Sequence, residues 1–250
     1  MADVSETCVE EPVPSTIWDF VLYLVAGVGL FALAGLGLSQ ILQIGTPANT
    51  VARYVSNILV FSGVFYFLGI RRKKVTWSKI GFQPPVFTPW YFVLGFGLFI
   101  LLLTLRGILA VLALKLTGSG FESLLYRSQV IMAGGFSWLN ALIAVVAGGI
   151  LIPFAEEVYF RGLWYTALRT RLSFIPATLI SSFLFGLGHI DSVAVVAAST
   201  VIGIVNAIAY EKSQSLWLPI IIHAVNNTIA MVMLYVTLAI APNLMTFPPS

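Results

Sequence analysis

The sequence predicts an all-α fold, a polytopic transmembrane helix bundle of seven or eight membrane helices, and three observations predict it. The chain of 250 residues is 59% hydrophobic and only 9% charged, whereas water-soluble domains carry about 25% charged residues. Its mean hydropathy is +0.97. Several apolar stretches reach the roughly 20 residues that a helix needs to cross a bilayer. Such stretches and short connections take up almost the whole chain, which implies a single membrane domain over 17–250 with the lipid bilayer as its partner. The net charge of +3 and isoelectric point near 9.1 do not signal nucleic acid, because the basic residues flank apolar runs, where they set topology.

Residues 1–16 hold Asp3, Glu6, Glu10, Glu11 and two prolines, and read as a polar, disordered tail. The lone Cys8 excludes an internal disulfide. The tail lacks the basic start of a signal peptide, and the Phe247-Pro248-Pro249-Ser250 terminus is not a lipidation signal. A first span is expected from about Ile17 to Ile44, broken by Thr46-Pro47, and a second from about Val51 to Ile70. Arg71-Arg72-Lys73-Lys74 and Lys79 follow at once, which places that loop, and with it the N-terminus, in the cytoplasm. Residues 75–82 read as a short amphipathic piece at the membrane interface, ended by Pro84-Pro85. A third span runs from about Trp90 to Leu116. Arg106 interrupts it and is expected to snorkel or to find an internal partner. Residues 117–136 form a polar segment on the far side.

The stretch from Trp138 to Arg171 is long for one crossing and carries Pro153 in its middle. It is either one kinked span or two elements divided at the proline. The kinked version is preferred. It puts Arg71, Arg72, Lys73, Lys74, Lys79, Arg169, Arg171 and Lys212 inside against Arg53, Lys115 and Arg127 outside. Residues 173–190, 193–210 and 216–240 supply three more helices, with Glu211-Lys212-Ser213-Gln214 as a polar turn. No internal repeat points to a repeat-built transporter. A chain of this kind, without a targeting peptide, is expected in a bacterial plasma membrane.

Glu156, Glu157 and Arg161 stand inside this apolar chain, where each charge costs roughly 2.5–3.5 kcal/mol at the helix centre even on the lenient insertion scale. Glu157 precedes Arg161 by four residues, the favourable orientation for a helical ion pair. Glu156 points about 100° away and is left to act as a general base for water. His189 and His223 are the chain's two histidines. His189 could share that proton or bind a metal, while His223 and Asn227, at i and i+4, could donate hydrogen bonds to an oxyanion. Glu156 and His189 lie sixteen and seventeen residues either side of Leu172. In an antiparallel hairpin that puts them at the same depth, about 25 Å from the turn. His223 and Asn227 are expected one or two turns off that level. Two histidines and a glutamate, here His189, His223 and Glu156, are also a catalytic zinc set, so the cofactor expectation is either a divalent metal such as zinc or none. The plainer alternative is a structural polar network between helices.

Glu156-Glu157-x-x-x-Arg161, Phe185-x-x-x-His189 and His223-x-x-x-Asn227, in that order on successive helices, resemble the motifs of the CPBP family. It is also called the CAAX amino-terminal protease or Abi family, and includes type II CAAX prenyl endopeptidases. The resemblance covers about 138–232, which would be the catalytic core. It implies an intramembrane endopeptidase acting on a peptide or lipidated-protein substrate. Glu156 matches the residue that activates water and His189 its partner. His223 and Asn227 match the positions that stabilise the oxyanion, and Glu157 and Arg161 match the supporting pair, with Phe185 opening the second motif. The alternatives are a proton-coupled membrane transporter, in which the same residues form a relay, and a non-catalytic membrane scaffold or immunity protein.

Overall fold

The computed structural model of the protein describes residues 13–44, 46–82, 89–117, 131, 136–189 and 193–240. Among them every regular element is helical. In chain order these are α1 Ile17–Ile41, α2 Pro47–Ile70, α3 Pro89–Thr117, α4 Trp138–Arg169, α5 Phe174–Leu187, α6 Val193–Ser213 and α7 Trp217–Ile240. Five of them, α1, α2, α4, α6 and α7, are long and apolar enough to cross a membrane, and the apolar stretch Pro89–Leu105 of α3 and the short α5 accompany them. Thr46 caps α2 by accepting from the Asn49 amide, and Pro47 occupies the first turn, where its missing N–H leaves no bond unmade.

The polarity of this bundle is reversed relative to a soluble protein. Leu33 and Leu59 are each 66% exposed. By contrast Asn57, Glu156, Glu157, Arg161, Asn206 and His223 are buried. In water that arrangement would waste the hydrophobic driving force. In lipid it turns hydrocarbon outward and gathers the polar groups where they can bond one another. The protein is therefore an integral membrane protein.

Helix α4 runs unbroken through Pro153, so the proline does not divide it. The proline removes the donor that the Gly149 carbonyl would have received. Two features absorb the loss. A π-helical stretch, Ala144–Leu151, precedes the proline, and the Thr228 hydroxyl of α7 donates to the Gly149 carbonyl at 3.2 Å. A Cβ on Gly149 would stand 2.7 Å from that hydroxyl oxygen and 3.0 Å from the Thr228 Cα. The glycine thus lets α4 and α7 meet backbone to backbone.

One end of the bundle collects the basic residues. Thr16 and Asp19 form a reciprocal capping box at the start of α1. Asp19, buried, also receives Arg72 at 3.1 Å and Lys74 at 2.9 Å from the turn after α2. Arg171, after α4, donates from Nε to the Ser15 carbonyl at 2.8 Å, and Arg169 pairs with Glu211 of α6 at 2.9 Å. Two expectations are corrected here. Residues 13–16 are not a loose tail: the Val13 amide bonds the Lys73 carbonyl at 2.8 Å and Ser15 is buried. Residues 75–82 bury Val75 and Ile80 in the core while Trp77, Ser78 and Lys79 stay exposed, so the piece is two-sided. Arg53 is not in an outer loop but inside α2, where it donates to Asn49 at 2.7 Å and to Ser39 of α1 at 2.6 Å. The Arg106 side chain, Arg127, Pro84-Pro85 and the part of the tail before residue 13, Cys8 included, lie outside the described residues.

Candidate active site

The site is built where α2, α4, α5, α6 and α7 converge. Glu156 and Glu157, adjacent on α4, face different neighbours. Glu157 is fully buried, and its Oε1 receives three donors from three helices. These are Arg161 Nη1 at 3.1 Å, Asn206 Nδ2 of α6 at 2.8 Å and His223 Nδ1 of α7 at 2.7 Å. Arg161 is held in turn, with Nη2 donating to the Gly203 carbonyl at 2.8 Å and its guanidinium carbon 4.9 Å from the Phe185 ring centre. The charge of Glu157 is thus matched by a cation and by two further hydrogen bonds, as a buried ion needs.

Glu156 faces the other way. It accepts from Asn57 Nδ2 of α2 at 3.2 Å, and its Oε2 lies 3.7 Å from His223 Nε2. His223 therefore stands between the two glutamates. Its Nδ1 faces a carboxylate oxygen, which can only accept, so Nδ1 carries a hydrogen, and Nε2 is the nitrogen turned toward Glu156. His189, in the turn that ends α5, has Nδ1 at 2.9 Å from the Phe185 carbonyl. A carbonyl can only accept, which again puts the hydrogen on Nδ1. The Phe185 ring packs against both imidazoles, at 4.9 Å from His189 and 5.5 Å from His223 between ring centres.

Glu156, His189 and Asn227 line one cavity of about 280 Å³, together with Asn57, Arg53 and Tyr54 of α2. His223 borders it through Glu156, and the expected offset between the α4–α5 and α6–α7 hairpins closes to that 3.7 Å approach. Asn227 also accepts from Asn226 Nδ2 at 3.0 Å. Asp191, two residues past His189, lies outside the described residues. Among the described residues no three His, Cys, Asp or Glu side chains are grouped so as to hold a metal ion. Glu156, His189 and His223 have the right chemistry for zinc, and the bond from His223 Nδ1 to Glu157 leaves Nε2 free to ligate, but the three side chains are not grouped as a ligand set.

Asn57 and Asn206 were not among the expected site residues, and Arg53, expected in an outer loop, lines the cavity. Their signal was legible in principle: each is a strongly polar residue inside an apolar helix, where an unpaired amide or cation is costly. The sequence did not say which neighbour satisfied it.

Two comparisons bear on this arrangement. The family model described as type II CAAX prenyl endopeptidase Rce1-like matches residues 138–229. That stretch holds both glutamates, Arg161, Phe185, both histidines and Asn227. The curated Bacillus subtilis (strain 168) protein named "Putative membrane peptidase YdiL" is 33% identical over 89 residues. That alignment takes in 36% of this chain and 36% of the relative. The resemblance read from the three motifs is therefore found over the second half of the chain, α4 to α7, and α1 to α3 stand outside it. No solved structure matches the chain.

Proposed function

We propose that the protein is an intramembrane endopeptidase that hydrolyses peptide bonds with water activated by Glu156, and that its basic end lies in the cytoplasm, as the distribution of Lys and Arg favours. The observation that carries the reading is a carboxylate and an imidazole, Glu156 and His189, lining one cavity with an amide donor, Asn227.

In this reaction Glu156 takes a proton from a water that His189 helps to align, and the water oxygen attacks the scissile carbonyl carbon. Asn227 donates to the oxygen that becomes negative. The C–N bond then breaks, and the proton passes to the leaving amine. His223 can relay it, because Nε2 lies 3.7 Å from Glu156, and catalytic contacts of that kind tighten when substrate binds. Once protonated, His223 also becomes a donor to the oxyanion from Nε2. Glu157 and Arg161 act on substrate only through His223, which they orient.

The test uses purified protein in lipid nanodiscs and a mixed library of synthetic apolar peptides, with new termini read by mass spectrometry. Glu156→Gln and His189→Asn should each abolish cleavage while keeping the melting temperature of the parent within a few degrees. Cleavage by both variants at the parent rate would sink the proposal.

A further inference from the structure

Three consecutive polar residues, Asn226-Asn227-Thr228, sit in the middle of α7, and successive residues of a helix point about 100° apart. Thr228 bonds the Gly149 carbonyl, and Asn227 lines the cavity with Glu156 and His189. Asn226 does neither. It is 1% exposed, and its side-chain hydrogen bond among the described residues runs from Nδ2 to Asn227 Oδ1, at 3.0 Å. Its own Oδ1 is buried without a hydrogen-bond partner. A buried amide oxygen left unpaired costs free energy that an apolar side chain of similar size would not. Packing alone therefore does not account for an asparagine at this position.

The bond to Asn227 determines which way that amide faces. The last torsion of an asparagine is soft and roughly two-fold, and its two ends are opposite in character, an acceptor oxygen and a donor nitrogen. Asn226 Nδ2 can only donate, so it takes the oxygen of Asn227. Both N–H groups of Asn227 are left over, and they make no hydrogen bond to a described residue. An amide turned the other way would aim its oxygen at the place where negative charge develops on the scissile carbonyl. A donor already held in place needs no reorganisation at that moment.

We propose that Asn226 is a positioning residue for peptide hydrolysis: it holds the Asn227 amide with Nδ2 toward the cavity, so that the donor to the oxyanion is in place before substrate arrives. The role rests on the peptidase reading and on Asn227 as the donor. Asn226 touches no substrate atom and acts through Asn227 alone, which separates it from a residue that merely supports α7.

The test takes the best-cleaved peptide of the library as a defined substrate, in the same nanodiscs. It compares Asn226→Leu, Asn227→Ala and the double variant with the parent. Asn226→Leu should lower kcat about tenfold, short of the roughly 10²–10³-fold typical of deleting an oxyanion donor outright, with KM within about twofold of the parent. The double variant should be no slower than Asn227→Ala, because with the donor gone nothing is left to orient. Asn226→Ala repeats the comparison with a side chain too small to clash. The inference is overturned if Asn226→Leu and Asn226→Ala keep the parent kcat, if their effect lies in KM alone, or if both fail to fold. It is overturned equally if the double variant is slower than Asn227→Ala by the factor that separates Asn226→Leu from the parent. A parent that cleaves none of the peptides refutes the peptidase reading itself, whereas any of those results with an active parent refutes only the role of Asn226.

Discussion

At the scale of the residue, adjacent Glu156 and Glu157 have separate fates because the helices around them offer different donors. Glu157 meets a guanidinium, an amide and an imidazole, whereas Glu156 meets an amide and the far nitrogen of the same imidazole. Breaking a buried pair by removing one partner costs about 3–5 kcal/mol, because the other charge stays buried. Arg161→Met should therefore lower stability by about that amount, read as a large fall in melting temperature in detergent, whereas Glu156→Gln should leave it nearly unchanged. Asn57 is a positioning residue in the proposed reaction, since it acts through Glu156. Asn57→Ala removes one hydrogen bond to a charged group, worth about 1.5–3 kcal/mol. It should slow kcat about tenfold or more with little change in KM, and a change confined to KM would contradict that role.

At the scale of the element, α4 carries the site, and its irregularities are solved by its neighbours. Pro153 leaves the Gly149 carbonyl without its helical donor, and Thr228 supplies one from α7. Thr228→Val keeps the shape and removes the hydroxyl, which should cost about 1–2 kcal/mol as a lost hydrogen bond on a buried carbonyl. Gly149→Leu should do more damage, since even a Cβ there would press on the Thr228 backbone, and α7 carries His223 and Asn227. Measured in the nanodisc assay, Gly149→Leu should lose activity as well as stability. Full activity with an unchanged melting temperature would show that the two helices do not need this contact.

At the scale of the whole molecule, Asp19 ties together parts of the chain that are distant in sequence. It caps α1 and receives two cations from the turn after α2, while Arg171 anchors the adjacent Ser15 carbonyl. Asp19→Ala should cost about 1 kcal/mol for the lost capping interaction. It should also quicken proteolysis near residues 71–74 in inside-out vesicles; an unchanged digestion rate would mean that the basic turn is held by other contacts. Much of this molecule was legible from composition and spacing. Long apolar runs require helices in lipid, because a backbone with no water must bond to itself, and the expectation from turn distances that Glu156 and His189 meet is matched by the one cavity that both line. By itself the sequence determined the helical membrane bundle, the apolar helices found among the described residues, the basic end and the i, i+4 pairing of Glu157 with Arg161. The tertiary structure decided that His223 sits between the glutamates, that Asn57 bonds Glu156 and Asn206 bonds Glu157, that Arg53 turns inward, and that the cavity runs away from the basic end. The reason is physical: helical periodicity fixes the face on which a polar side chain stands, but only the packing of other helices selects the partner that meets it there.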